Sequence, residues 1–229
     1  MSQDNQILNE PLNDYYTGKR ILITAGPTVE PIDDVRFISN HSSGKMGYAL
    51  ATKAAEFGAE VILISGPVHI PPPDNVQVVN VTTADDMYHA AIEYFPMSDI
   101  AIMTAAVADF TPAEKVSGKI KKESLGSEMI LRLVKTKDIL AELSATKTKT
   151  QKVIGFALES ENETENGLKK LKKKKCDMIV VNSANKTDSG FGGDKNTITI
   201  ITAGGLQFDY PPMTKIQCAV EILKTVAAY

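Results

Sequence analysis

Apolar runs alternate with amphipathic segments along most of the chain. The runs predicted to be strands are residues 20–26, 60–65, 77–81 and 99–104, of which the first is predicted to be buried on both faces. Small and apolar residues recur at helical spacing from Gly44 to Phe57, and Thr82 or Thr83 is placed to cap a second helix. Short links between successive strands and helices predict a parallel sheet with right-handed crossovers.

The second half of the chain continues this alternation and then ends in a different order of elements. Further strands are predicted at 129–134, 152–157 and 177–182, and further helices at 138–145 and 164–175. Residues 197–202 and 206–209 flank two glycines and predict an antiparallel hairpin, and 214–228 predicts a closing amphipathic helix. The pattern indicates an α/β, Rossmann-like three-layer fold with a mostly parallel sheet and a C-terminal antiparallel hairpin.

Residues 1–17 are rich in Asn, Asp and Gln and show neither helical nor strand periodicity, so they are predicted to be a flexible tail or the remnant of a linker. Residues 18–229 are predicted to form one domain, a length that allows a large core. The polar tail fits a free-standing chain and an excised domain equally well.

Bulk composition excludes several classes of protein. Apolar residues make up 43% and the net charge is -3, so no overall field draws the chain to nucleic acid or to an anionic membrane. No apolar run approaches the roughly 20 residues of a membrane span, and the N-terminus does not resemble a secretory signal. A cytoplasmic protein is predicted. The two cysteines and three histidines show no metal-ligand spacing, so metal ligands stay unknown and the thiols are predicted to be reduced.

Polar, glycine-bearing loops follow the predicted strands, where open α/β sheets bind ligands. Gly26 ends the first strand, and a later helix opens on Ser42, Ser43, Gly44 and Lys45. Hydroxyls, a glycine and a lysine at a helix N-terminus predict an anion site.

Two known nucleotide motifs are missing. A Walker P-loop needs a glycine where the chain has Ser39, and the dinucleotide fingerprint is absent around Gly26. The acidic residue expected after the second strand is replaced by Ser65.

Four segments together resemble the phosphopantothenoylcysteine synthetase family in its bacterial, CTP-using form, which is frequently the second half of a bifunctional enzyme. They are Ile23-Thr24-Ala25-Gly26-Pro27-Thr28, Ile38-Ser39-Asn40-His41-Ser42-Ser43-Gly44-Lys45-Met46-Gly47, Ala105-Ala106-Val107-Ala108-Asp109 and Gly118-Lys119-Ile120-Lys121-Lys122. The resemblance extends from about Gly18 to the C-terminus.

The resemblance implies a ligase that activates 4'-phosphopantothenate with CTP as an acyl-cytidylate and joins it to L-cysteine, releasing pyrophosphate and CMP. It also implies Mg²⁺ or Mn²⁺, a homodimer in which the neighbour completes the site, and no flavin in this chain.

The same resemblance implies roles for individual residues. Asn40 is implied to serve the second half-reaction, and Lys119 to stabilise negative charge during attack on the α-phosphate. The implied nucleotide-binding residues are Thr104, Ala105, Asp109, Lys119, Lys137, Asp138, Ile139, Leu140, Phe156, Lys170 and Lys174. Lys137 departs from the family's usual proline, and Ser183 departs from an aspartate after Asn182.

Structural roles compete with these functional ones. Asn40 and Asp138 are also placed as helix caps, Lys119 as a solvated charge, and Phe156 as a core residue. The lysine-rich run 169–175 lacks interleaved aromatic residues and is predicted to be mostly a solvated helix face, not a nucleic-acid site.

Two other functions stay open at this point. They are an NAD(P)-binding Rossmann oxidoreductase, disfavoured by the missing fingerprint, and a non-catalytic nucleotide-binding or basic-helix protein.

Overall fold

The computed structural model of the chain describes residues 12–121, 127–183 and 193–229. Its helices are α1 (Leu12–Tyr16), α2 (Lys45–Glu56), α3 (Ala84–Tyr94), α4 (Ile139–Thr146), α5 (Glu163–Lys174) and α6 (Lys215–Ala228). Its longer strands are β1 (Arg20–Ala25), β4 (Glu60–Ser65), β5 (Val76–Asn80), β6 (Ile100–Met103), β9 (Lys152–Glu159), β10 (Met178–Ser183) and β12 (Ile198–Thr202). Its short strands are β2 (Val29–Pro31), β3 (Phe37–Ser39), β7 (Phe110–Pro112), β8 (Leu133–Lys135), β11 (Lys195–Asn196), β13 (Gln207–Asp209) and β14 (Met213–Thr214).

The central sheet has eight strands in the order β13-β12-β10-β9-β6-β1-β4-β5. The six strands from β10 to β5 are parallel, and β12 and β13 are antiparallel additions at one edge. The prediction of a three-layer α/β fold with a mostly parallel sheet and a C-terminal hairpin is confirmed.

Side chains of β1 alternate between the two faces of the sheet, and helices cover both faces. Ile21 and Ile23 enter one core with α1, α2 and α6, while Leu22 enters the other core with α3, α4 and α5. All three side chains are fully buried. A strand buried on both faces must be continuously apolar, which is the pattern that the sequence has here.

Helix termini follow the capping signals in the sequence. The Thr83 hydroxyl accepts a hydrogen bond from the Asp86 N–H at 3.1 Å, and the Asp86 carboxylate accepts one from the Thr83 N–H at 2.8 Å. This reciprocal capping box begins α3, and Thr214 with Gln217 begins α6 in the same way. Helix α2 begins at Gly44 without any side-chain cap.

The predicted tail is wrong for residues 12–16, which form α1; residues 1–11 lie outside the described residues. Tyr16 is fully buried, and its hydroxyl donates to the Leu223 carbonyl at 2.7 Å. A five-residue helix is too short to show periodicity, and it is held by burying an aromatic ring against α6.

The predicted sheet strand at 129–134 is also wrong. Residues 133–135 form β8, which pairs antiparallel with β7 outside the main sheet. Both edges of β6 are already occupied, by β1 and β9, so no place remains for an intervening strand. Leu133 and Val134 are 42% and 41% exposed, unlike residues of a central strand. We call β7 and β8 the arm.

The sequence pattern did not predict the β2–β3 hairpin or the β11–β14 pair, because strands of two or three residues carry no measurable period. Within the described ranges, no helix combines the length and apolar character that a membrane span requires.

Candidate functional site

The carboxyl ends of β1 and β6 lie side by side, at the point where the chain reverses its direction of progress across the sheet. Open α/β sheets bind ligands at this position. Two clefts open there, the first with a volume of about 280 Å³ and the second with a volume of about 450 Å³. They share a wall formed by Ala105, Val107, Asp109, Phe156 and Lys170.

The first cleft contains all the predicted anion-binding residues, which are Gly26, Ser42, Ser43, Gly44 and Lys45. Besides the nucleotide-set residues of the shared wall, it also contains Thr104. Helix α2 points its N-terminus at this cleft, and among the described residues no side chain caps it at Gly44. The positive end of the helix dipole favours an anion there.

Gly26 and Gly44 let the backbone approach closely at the first cleft. Both have positive φ angles, 76° and 77°. A Cβ atom on either would lie 2.9 or 2.7 Å from Cγ1 of Val68, a sub-van der Waals contact. Val68 therefore packs close to both glycines, and residues at the end of β6 and in β9 line the clefts.

The second cleft contains the start of α4. Asp138 caps this helix, because its Oδ1 accepts from the Ala141 N–H at 3.1 Å. Its Oδ2 accepts a hydrogen bond from Lys174 Nζ. Burial opposes ionisation of Asp138, but the hydrogen bonds from Lys174 and Ala141 outweigh it and lower the pKa of the carboxyl group. Leu140 and Ile139 complete the apolar part of this cleft.

Lys170 stands at the boundary of the two clefts. Its Nζ donates to the Phe156 carbonyl at 2.8 Å. Burial is the largest cause that lowers the pKa of Lys170, and the nearby Lys174 acts in the same direction. Asp109, Glu159 and Asp138 oppose this lowering, so acidic groups surround the ammonium without contacting it as ion pairs.

Lys137 lines the second cleft, but its ammonium is directed to α3. Its Nζ lies 2.9 Å from the Asp85 carboxylate and 4.4 Å from the ring centroid of Tyr88. Lys137 therefore contributes its backbone, and not its charge, to the second cleft.

The two residues predicted to be catalytic, Asn40 and Lys119, line neither cleft. Asn40 lies at the rim, where its Nδ2 donates to the Ala106 carbonyl at 2.8 Å, and Ala106 lines the first cleft. Lys119 is exposed, and within the described ranges no side chain or backbone group hydrogen-bonds or ion-pairs with it.

The backbone on either side of Lys119 is nevertheless fixed. The carboxylates of Asp34 and Asp33 accept from the N–H groups of Gly118 and Ile120 at 2.8 and 3.1 Å. The Arg36 guanidinium donates to the Ile120 carbonyl at 2.6 Å and pairs with Asp33 at 3.0 Å. The loop between β2 and β3 therefore holds the Lys119 segment.

Three further polar residues line the first cleft: Asn182, Asn196 and Lys215. None of the three was among the predicted site residues. Asn182 Oδ1 is buried and has no hydrogen-bond partner within the described ranges. No local motif marks Lys215, which reaches the cleft only because β11 and β14 pair beside the end of β10. The one available signal was the Thr-Lys start of an amphipathic helix.

Within the described ranges, no three His, Cys, Asp or Glu side chains converge as metal ligands. Both cysteines are buried, and burial raises the pKa of each thiol to about 11. Neither cysteine lines a cleft.

Comparison with known proteins finds relatives that match more than nine tenths of this chain. A prokaryotic protein of unknown organism named cysteine/cysteine sulfinic acid decarboxylase is 47% identical over 222 residues, covering 96% of this chain and 60% of that protein. The coenzyme A biosynthesis bifunctional protein CoaBC of Bacillus subtilis (strain 168) is 46% identical over 212 residues, covering 92% of this chain and 52% of that protein. This chain therefore spans little more than half the length of these relatives.

A solved structure matches nearly end to end. The crystal structure of the C-terminal domain of the coenzyme A biosynthesis bifunctional protein CoaBC is 42% identical, with a TM-score of 0.79, and the match covers 93% of this chain and 96% of that one. The family model of the DNA/pantothenate metabolism flavoprotein C-terminal domain matches residues 16–229. The chain belongs to the DNA/pantothenate metabolism flavoprotein C-terminal domain family.

Proposed function

We propose that this chain is a phosphopantothenate–cysteine ligase of coenzyme A biosynthesis that uses CTP. The observation that carries the proposal is the pair of adjoining clefts at the sheet's switch point, one lined by anion-binding groups and the other by apolar and capping groups at the start of α4. The names of the CoaBC relatives support the pathway. These two clefts would place the base and the phosphates of a bound nucleotide in different surroundings.

In the first half-reaction, a carboxylate oxygen of phosphopantothenate attacks the α-phosphorus of CTP. The bond from that phosphorus to the bridging oxygen of the β-phosphate breaks, and pyrophosphate leaves with the electron pair. Lys119 is the proposed group that stabilises the charge on the α-phosphate, since its exposed ammonium has no competing partner within the described ranges.

In the second half-reaction, the cysteine amine attacks the acyl carbon and loses a proton to solvent. The C–O bond to the cytidylate breaks, and CMP leaves with the electron pair. Asn40 is proposed to position this step, because a carboxamide can donate to an oxygen and accept from an amine. Its hydrogen bond to Ala106 fixes it at the rim of the first cleft. Neither half-reaction needs a protein nucleophile, consistent with the two buried, unactivated thiols.

Mg²⁺ or Mn²⁺ bound together with the nucleotide would neutralise part of its phosphate charge. Magnesium in nucleotide sites typically takes one or two protein carboxylates and several phosphate oxygens or waters. Asp109, which lies in the wall shared by both clefts, is the carboxylate that fits this role.

The base is proposed to lie in the second cleft beside Leu140 and the backbone from Lys137 to Ile139. Lys170 and Lys174 would reach the phosphates from α5. The two lysines are four residues apart and so share one face of that helix.

The proposed assembly is a homodimer. Apolar side chains of the arm and its surroundings are exposed, among them Phe37, Phe110 and Ile130 at 59%, 45% and 90%. Exposed apolar groups in this density favour an interface between protein chains.

A second candidate, decarboxylation of a cysteine-containing substrate, is favoured by the name of the 47%-identical relative. The matched region is 60% of that protein, so the named activity belongs to a chain with a further two fifths of sequence.

The geometry disfavours the dinucleotide alternative. Ser65, at the position of the expected acidic residue, is buried and hydrogen-bonds with the Tyr48 hydroxyl at 3.1 Å. A Cβ on the neighbouring Gly66 would come within 1.8 Å of the Pro27 carbonyl oxygen, so the chain after β4 packs closely against the loop that follows β1.

The proposal is tested by incubating the purified chain with Mg²⁺, phosphopantothenate and either CTP or ATP, with and without cysteine, and measuring pyrophosphate, CMP and the cysteine adduct. Formation of CMP and adduct with CTP supports the ligase. Release of CO₂ from phosphopantothenoylcysteine without use of CTP would instead support the decarboxylase. Absence of both activities would leave a nucleotide-binding protein, which a CTP titration would detect.

A further inference from the structure

The segment from Lys135 to Lys137 is a thin partition between two clefts. One side lines the second cleft, where the nucleotide base is proposed to lie. The other side lines a third cleft, with a volume of about 320 Å³, together with Glu30 and Asp85. Because a cleft lies on each side and only Thr136 is partly buried, the position of this segment depends on specific contacts more than on close packing.

Some of these contacts come from the loop after β6 and from α5. The Thr136 N–H donates to the Asp109 carbonyl at 3.0 Å, and the Thr136 hydroxyl donates to the Ala108 carbonyl at 2.6 Å. Lys174 donates to the Asp138 carboxylate at the start of α4. None of these contacts joins the segment to α3, the helix that forms another wall of the third cleft.

Lys137 supplies the contact with α3. Its Nζ donates to the Asp85 carboxylate at 2.9 Å and lies 4.4 Å from the centroid of the Tyr88 ring. His89 Nε2 lies 3.4 Å from both the same Nζ and Asp85 Oδ2. The hydrogen bond from Lys137 is the largest cause that lowers the pKa of Asp85. We call the contacts of Lys137 with Asp85 and Tyr88 the anchor.

We propose that the anchor positions the backbone from Lys137 to Ile139 for binding of the nucleotide base. Lys137 and Asp85 are then positioning residues, although Asp85 lines only the third cleft and not the second. The inference rests on the proposed function for the identity of the ligand and deepens it. A segment that is fixed before the ligand arrives loses less conformational freedom on binding, so loss of the anchor weakens binding.

Calorimetric titration of the whole chain with CTP, and with pyrophosphate, which lacks the base, tests the anchor. Lys137→Met should weaken CTP binding about three- to ten-fold, the range expected for an exposed ion pair combined with a cation–π contact. Pyrophosphate binding should stay unchanged. Because the base is held alike in the ground state and the transition state, the KM for CTP should rise by the same factor while kcat falls by less than roughly two-fold.

Asp85→Asn separates positioning from simple electrostatics by the sign of its effect. Removal of a carboxylate favours an anionic ligand by charge alone, whereas loss of the anchor should weaken CTP binding about three- to five-fold. The double variant Asp85→Asn/Lys137→Met should bind CTP no more weakly than Lys137→Met, because the two residues form one contact. Lys137→Arg should restore the affinity, because a guanidinium also pairs with a carboxylate and stacks on an aromatic ring.

Matched controls are available on the same chain. Glu93→Gln removes an exposed carboxylate from α3 about two turns after Asp85, and Lys149→Met removes an exposed lysine after α4. Neither should change CTP binding. Circular dichroism compares the helix content of the variants, since Asp85 also lies in the first turn of α3. If Asp85→Asn does not fold, Lys137→Met and Lys137→Arg still decide the question.

Unchanged CTP affinity in both Lys137→Met and Asp85→Asn overturns the proposal. Equal weakening of CTP and pyrophosphate binding also overturns it, because the effect would then not concern the base. Because binding is measured without turnover, a chain that shows these shifts but forms no CMP would refute the ligase and leave the anchor in place. Turnover with CTP and no shift in affinity would support the ligase and refute the anchor, and a chain that does not bind CTP would refute both.

Discussion

Lys119 and Asn40 are held in different ways, and this difference determines how each can be tested. Lys119 projects freely from a segment whose backbone is fixed on both sides, while Asn40 is itself tied to Ala106. Substitution at Lys119 therefore removes a charge without disturbing packing. Substitution at Asn40 also removes one exposed hydrogen bond.

Lys119→Met should lower the rate of pyrophosphate release about 100-fold or more while leaving the unfolding temperature unchanged, because the lost interaction exists only with the transferring phosphate. The matched control is Lys115→Met on the same segment, whose ammonium pairs loosely with Asp34 at 3.8 Å. Equal loss of activity in both variants would show that general positive charge, not Lys119, matters.

Asn40→Ala should separate the two half-reactions. We expect pyrophosphate to be released in a burst of about one equivalent per site, followed by slow CMP formation, because the acyl-cytidylate forms but cysteine is poorly positioned. Rapid-quench measurement of both products checks this. Loss of the burst itself would place Asn40 in the first half-reaction instead.

At the scale of elements, the β2–β3 loop acts as a clamp on the segment that carries Lys119. Asp33 is central to it: its carboxylate accepts from the N–H groups of Val35 and Arg36 at 2.8 and 2.7 Å, as well as from Ile120. Burial opposes ionisation, but these donors and the Arg36 charge prevail, so the pKa of Asp33 is lowered.

Asp33→Asn should lower kcat far more than it changes the Tm, because an amide would turn an N–H group toward Ile120 or Arg36 and release the Lys119 segment. If Asp33 acts through Lys119, the double variant Asp33→Asn/Lys119→Met should be no slower than Lys119→Met alone. Additive losses would contradict a positioning role.

The lowered pKa of the Asp33 carboxyl predicts how the stability of the clamp changes with pH. Since its pKa is lower in the folded chain than in the unfolded chain, its contribution to the clamp is complete above the unfolded value and is lost as pH falls through the folded value. Hydrogen exchange at Ile120, whose N–H donates to Asp33, should therefore accelerate, relative to the sheet amides, only below the ordinary aspartate range. Acceleration that begins near neutral pH would point to another group.

At the scale of the whole molecule, the exposed apolar side chains of the arm and of the adjacent Ile130 predict self-association. Ile130→Glu should weaken a homodimer at least about ten-fold in sedimentation equilibrium, because a charge would be buried at the interface. Leu206→Glu is the matched control, since Leu206 is 49% exposed in the turn between β12 and β13, away from the arm. A wild-type chain that stays monomeric at all concentrations would contradict the prediction.

The sequence predicted some residues of the site and missed others. Ser42, Ser43, Gly44 and Lys45 were found because a helix start is a local signal, and the resemblance added residues that share no local pattern, such as Asp109 and Phe156. Lys215 was missed, because its place depends on the antiparallel edge of the sheet and not on its neighbours in sequence.

The sequence by itself determined the order and kind of the long elements, because continuous apolar runs and helical spacing reflect burial on both faces of a strand or on one face of a helix. It could not determine that residues 129–134 leave the sheet, that α1 packs against α6, or that Lys215 lines the same cleft as Lys45. Those outcomes depend on which strand edges are already paired and on contacts between residues far apart in the chain, and only the tertiary structure decides them.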